Sequence, residues 1–208
     1  CRAIPTNTFL KLSKIEIGVG ITQRTLTTGQ AYACPSCFIQ NAIGHDEICQ
    51  KKQNGRTIRH EGAKNIIAKY LRTVEDTNVH VEKFVADPEK RRSQGLRPDL
   101  KVTGKASFQQ ICSEYDLTIH SIFSKGVVER LSASGNRLAC ARAAIGVALE
   151  KKEEKKNRKY LGKTNSAFHP IVISSGGTLS PSTLELFKFW QKTLHKTVYR
   201  EFMTDLSV

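Results

Sequence analysis

From Thr57 onward the hydrophobic spacing switches repeatedly between a helical period and a two-residue period, and that order of segments is what most limits the folds open to the chain. Ala63, Ile66, Ile67, Tyr70 and Leu71 fall on one side of a helix. NVHVEKFVA (78–86) then alternates as a strand, DPEKRRSQG is a charged turn, and two further strands are expected at PDLKV and YDLTIHSIF, parted by the turn-rich TGKASFQ. A long helix is predicted from about Asn136 through ACARAAIGVALE into KKEEKKNRKYLG, then a strand at HPIVIS. A last helix is expected over LELFKFWQKTLHKTVY, with Pro181 in its first turn and Ser182 or Thr183 as cap. This succession predicts an α/β fold, a sheet with helices on its faces, and there is no internal repeat.

Charge narrows the partners. Thirty-three Lys and Arg face nineteen Asp and Glu, a net charge of +14, which suits a protein that meets a polyanion, nucleic acid above all. No run approaches the roughly 18 apolar residues of a membrane span, so no membrane partner is expected. The first residue is Cys1 and the only methionine is Met203, so the chain is expected to be a piece of a longer polypeptide. Six cysteines are too sparse for a disulfide scaffold and fit a reducing compartment.

Three of the six cluster. CPSCFIQNAIGHDEIC places Cys34, Cys37, His45 and Cys49 at C-x2-C-x7-H-x3-C. A CxxC bend supplies two thiolates to a tetrahedral zinc, and His45 and Cys49, four apart, would share a helix face and close the site. Four ligands leave no open position, so a structural Zn²⁺ is expected, organising a knuckle at 34–50 that is too short to build its own core. Residues 1–33 read as a linker and 57–208 as the main domain. Cys112 and Cys140 lack such spacing and are expected to be buried small hydrophobes.

The acids of the strands are the second constellation. Asp99 follows Pro98 where a strand begins, and Glu114 and Asp116, two apart, point to one face of the next strand. Taken alone they read as a turn cap and a solvated strand face. If the strands are neighbours, Asp99 and Asp116 can share a divalent ion, and a cation beside a basic surface is the layout of a nuclease. Such sites commonly place a lysine two residues after the second acid, where this chain has Thr118. Lys156 and Lys159, with Tyr160 beside them, can supply that charge from the long helix.

In order and spacing, the knuckle, RHE (59–61), RPDL (97–100), YDLTI (115–119) and KNRKY (156–160) resemble the C-terminal region of site-specific, ribosomal-DNA-inserting non-LTR retrotransposon proteins. There a zinc knuckle precedes a restriction-enzyme-like endonuclease of the PD-(D/E)XK superfamily, and the lysine is likewise displaced to the following helix. The resemblance implies a restriction-endonuclease-like mixed sheet flanked by helices, with Asp99 and Asp116 holding Mg²⁺ or Mn²⁺. It implies that Lys156 or Lys159 orients water or stabilises charge and that His60 and Glu61 lie at the mouth of the site, while Glu114, on the same strand face as Asp116, is a weaker ligand candidate. Arg59, Arg97, Lys101, Lys151, Lys152, Lys155 and Arg158 would contact the DNA backbone. It further implies nuclear nicking of target DNA to prime reverse transcription of element RNA, with a polymerase upstream, since IEIGVGITQRTLTTGQ resembles the stretch before the knuckle. The other reading is a non-catalytic module in which knuckle and basic helix hold DNA or RNA.

Overall fold

The computed structural model describes residues 53–82, 97–121, 138–164 and 166–206. The Cys/His segment with Cys34, Cys37, His45 and Cys49, the linker before it, and the DPEKRRSQG turn lie outside the described residues. Within them the order is α1 (Gln53–Leu71), β1 (Thr77–Val81), β2 (Leu100–Gly104), β3 (Cys112–His120), α2 (Leu138–Tyr160), β4 (Ala167–Ser174), α3 (Pro181–Thr193) and α4 (Lys196–Asp205). None of these helices is long and apolar enough to cross a membrane.

The four strands form one mixed sheet in the order β1-β2-β3-β4. β1 to β3 are antiparallel neighbours, with Val79 opposite Val102 and Leu100 opposite Tyr115. α2 carries the chain across so that β4 runs parallel to β3, with Leu117 opposite Ile171. The fold is thus α/β, a four-stranded mixed sheet flanked by helices.

The two-residue alternation of β3 assigns its side chains to two faces. Tyr115 and Leu117 enter the core with Ile67, Leu71, Leu100, Val102, Ile171, Leu186, Phe187, Trp190 and Phe202, so α1, α3 and α4 cover that face. Trp190 is fully buried and its indole donates to the Ala106 carbonyl at 3.1 Å, so one side chain joins α3 to the β2–β3 loop. Glu114 and Asp116 point the other way, toward α2.

Three expectations need correction. The last helix is two, because Leu194 and His195 are extended (ψ 144° and 145°). The break lets buried Leu194 seat in the core and turns α4 back so that Phe202 meets Tyr70, Phe187 and Trp190 at ring distances of 5.6–6.2 Å. The helix cap is Ser180; Thr183 lies inside α3, and its hydroxyl accepts from the Val172 N–H at 2.8 Å, fastening α3 to β4. Cys112 is only half-buried, at the open start of β3 with its Sγ 3.2 Å from Ser166 Oγ.

A candidate carboxylate site between two strands and two helices

Pro98 has no N–H to give a ladder, and the β2–β3 pairing stops at Leu100. The next residue outward takes over with its side chain. Asp99 Oδ2 accepts from the Leu117 N–H at 2.6 Å, so a carboxylate replaces a backbone carbonyl where the two strands part. The neighbouring Leu117 carbonyl lies 3.2 Å from His60 Nε2, which is also 3.2 Å from Asp99 Oδ2. The carboxylate's hydrogen bonds to described residues therefore fall on one oxygen, Oδ2.

His60 reaches this point from α1, and its other nitrogen, Nδ1, lies 3.3 Å from Glu61 Oε1. Among the described residues the ring faces acceptors only. Burial pulls the imidazole pKa down, but the hydrogen bond and charge of Asp99, the Glu61 carboxylate and the Leu117 carbonyl outweigh it, leaving the pKa above the ordinary value. In the imidazolium form both ring nitrogens donate, and every contact of the ring is satisfied.

On the α2 side, Asp116 is buried between two side chains one helical turn apart. Tyr160 donates to Oδ1 at 2.5 Å, and the Lys156 ammonium bonds Oδ2. The same Tyr160 hydroxyl lies 2.8 Å from the Arg97 carbonyl, two residues before Asp99, and its ring stacks on Phe168 at 4.1 Å. Burial first, then Asp116, with smaller contributions from Asp99 and Glu114, push the phenol pKa far above its usual value. Three carboxylates are thus felt at one hydroxyl. The phenol stays protonated at any working pH, which makes it a donor and excludes it as a base.

Lys156 and Lys159 behave differently. Positions 156 and 160, four apart, form the stripe that faces the sheet. Lys159 is rotated off that stripe, is exposed, and lies over the Tyr160 ring at 5.0 Å, so the structure does not bring it to Asp116. Glu114 is buried beside Asp116 and meets Lys101 Nζ at 3.7 Å. Among the proposed backbone contacts, Arg97 pairs with Glu82 and Arg158 with Glu154, Arg59 and Lys152 are half-buried, and Lys151 and Lys155 are exposed on α2. Sequence reasoning missed Lys64, whose ammonium is buried against Glu61; its place three residues after an acid, inside the apolar stripe of α1, was the signal.

Among the described residues no group of three or more His, Cys, Asp or Glu is arranged to hold a metal ion. Asp99 and Asp116 offer two oxygen donors. That is short of an all-protein cage, though the donors are of the hard oxygen type that Mg²⁺ prefers. No protein-family model matches the chain, and no curated protein matches it.

Proposed function

We propose that the chain is a metal-dependent DNA endonuclease domain with a restriction-enzyme-like core, accompanied by a structural zinc knuckle at Cys34, Cys37, His45 and Cys49. The observation that carries this reading is the meeting of Lys156 with Asp116 across 40 residues of sequence, beside a strand end where Asp99 stands as a second carboxylate. Support also comes from the α-β-β-β-α-β order and from the basic balance of the chain.

In this reading Asp99 and Asp116 would hold Mg²⁺ or Mn²⁺, which when bound polarises the scissile phosphate and lowers the pKa of water. Lys156 holds its charge beside Asp116, where it orients water or offsets charge building on the phosphoryl oxygens. Tyr160 fixes the Asp116 rotamer. A water oxygen bonds to phosphorus, the P–O3′ bond breaks, the water proton passes to solvent, and the O3′ leaves protonated. The products are a 5′-phosphate and a 3′-hydroxyl able to prime reverse transcription in the nucleus by an upstream polymerase.

Plasmid nicking tests the reading. The parent is expected to open supercoiled DNA only with Mg²⁺ or Mn²⁺, and Asp99→Ala, Asp116→Ala and Lys156→Ala are each expected to lose roughly 10²-fold or more. Parent-like nicking by the two aspartate variants removes the assignment.

One observation favours a second reading, in which the domain binds DNA or element RNA without cutting it. Both oxygens of Asp116 are already engaged by Tyr160 and Lys156, which satisfies the buried carboxylate with no metal. Salt-sensitive binding with no nicking in any divalent ion is its signature.

A further inference from the structure

Lys64 is the least expected buried side chain of α1, 2% exposed, and a lone ammonium is not left in a protein interior without partners. It has two. Nζ lies 2.7 Å from Glu61 Oε2 and donates to the Glu82 carbonyl at 2.8 Å. Each partner leads to Asp99. Glu61 turns its other oxygen to His60 Nδ1 at 3.3 Å, and His60 Nε2 meets Asp99 Oδ2 at 3.2 Å. The Glu82 N–H donates to the Asp99 carbonyl at 2.9 Å, so the same lysine also fixes the backbone that carries the acid.

We propose that Lys64 is a positioning residue, which through Glu61 and His60 sets the rotamer in which Asp99 is presented to a cation. This rests on the nuclease reading for its consequence in catalysis, but the relay itself is a statement about hydrogen bonds. A buried ion pair is poorly explained as a stability device, because an apolar side chain of similar volume commonly serves as well or better. What methionine could not do is hold Glu61 Oε2. With that oxygen released, Glu61, 27% exposed, can turn to solvent, and the imidazole loses the partner that fixes its orientation.

Two measurements on the whole chain at neutral pH separate the relay from the site. The first is the hydrogen-bonded Nδ1–H proton signal of His60, the nitrogen that faces Glu61, assigned by its loss in His60→Gln. Lys64→Met is expected to abolish or broaden it while the thermal transition stays cooperative. Glu61→Gln, which keeps an acceptor for Lys64 but turns an amide toward Nδ1, is expected to do the same without touching the buried lysine. Retention of the signal in both variants overturns the proposal, whatever the metal does.

The second is Mn²⁺ binding, read from the free-ion electron paramagnetic resonance signal. Lys64→Met is expected to weaken it about tenfold, and Asp99→Ala to abolish it. Binding unchanged in Lys64→Met overturns the positioning role. If Asp99→Ala binds as the parent does, or the parent binds nothing, the metal-site reading fails, and the His60 signal still decides the relay.

Discussion

At the scale of single residues, Tyr160 ties three parts of the fold together at the candidate site, touching Asp116, the Arg97 carbonyl and the Phe168 ring. Tyr160→Phe keeps the stack and deletes the hydroxyl, leaving buried Asp116 one partner short. We expect a loss of roughly 1–3 kcal/mol by urea denaturation. His169 tests the titration of the core instead. Its ring packs edge-on against Phe108 at 5.0 Å, its Nε2 is buried with no hydrogen-bond partner among the described residues, and burial lowers its pKa. A lowered histidine pKa gives stability that is whole above the unfolded-state value near 6.5 and is lost as pH falls through the folded value. His169→Phe should therefore flatten the decline in melting temperature between about pH 7 and the acid limb; an unchanged slope means the group does not titrate on unfolding. At this scale the sequence revealed Asp99 and Asp116 as acids of interest, since strand parity and Pro98 were readable. The partners were not. No local pattern says that the carboxylate of Asp99 takes a backbone N–H, or that His60 of α1 reaches it.

Elements show where legibility came from. The strands β2, β3 and β4 and the helix α2 were readable from short stretches, because β2 alternates, β3 and β4 are short runs of strand-forming residues buried on both faces, and α2 is rich in alanine and other helix formers. The break between α3 and α4 was not. Nothing in TLHKT forbids a helix, and the chain turns because Leu194 and Phe202 gain more from the core than a straight helix would give them. The connection from α1 to β1 depends on Gly104 in the facing strand. Its φ is +89°, and a Cβ there would stand 1.7 Å from the Asp76 carbonyl oxygen. Gly104→Ala is expected to cost roughly 3 kcal/mol or more, through a left-handed conformation and a backbone clash together. Near-neutral stability in that variant would mean the hairpin can open without loss.

For the whole molecule, the segment after residue 180 had no motif, yet it closes the core. Trp190 and Phe202 are buried against α1 and the sheet, and Tyr70 donates to Asp205 of α4 at 2.7 Å. Trp190→Ala is expected to destabilise by about 3–5 kcal/mol, a large share of the total for a domain of ordinary stability, and circular dichroism at 37 °C should show a partly unfolded population. A fully folded variant would place the core elsewhere. The long-range character of these contacts also explains why the candidate site was only half readable. Its parts come from α1, the ends of β2 and β3, and α2, and the distances among them are set by packing that no short stretch encodes.

The Tyr70–Asp205 bond spans 135 positions, from α1 to α4. On the ribosome, where synthesis proceeds at about 5–20 residues per second, α1 and the three first strands emerge with one face of the sheet still bare. Asp99, Asp116 and Lys156 are all made before α3 and α4, but the sheet that spaces them is not covered until those helices arrive. A nascent chain thus carries the residues of the candidate site without their geometry, and the site is complete only when α4 has cleared the exit tunnel.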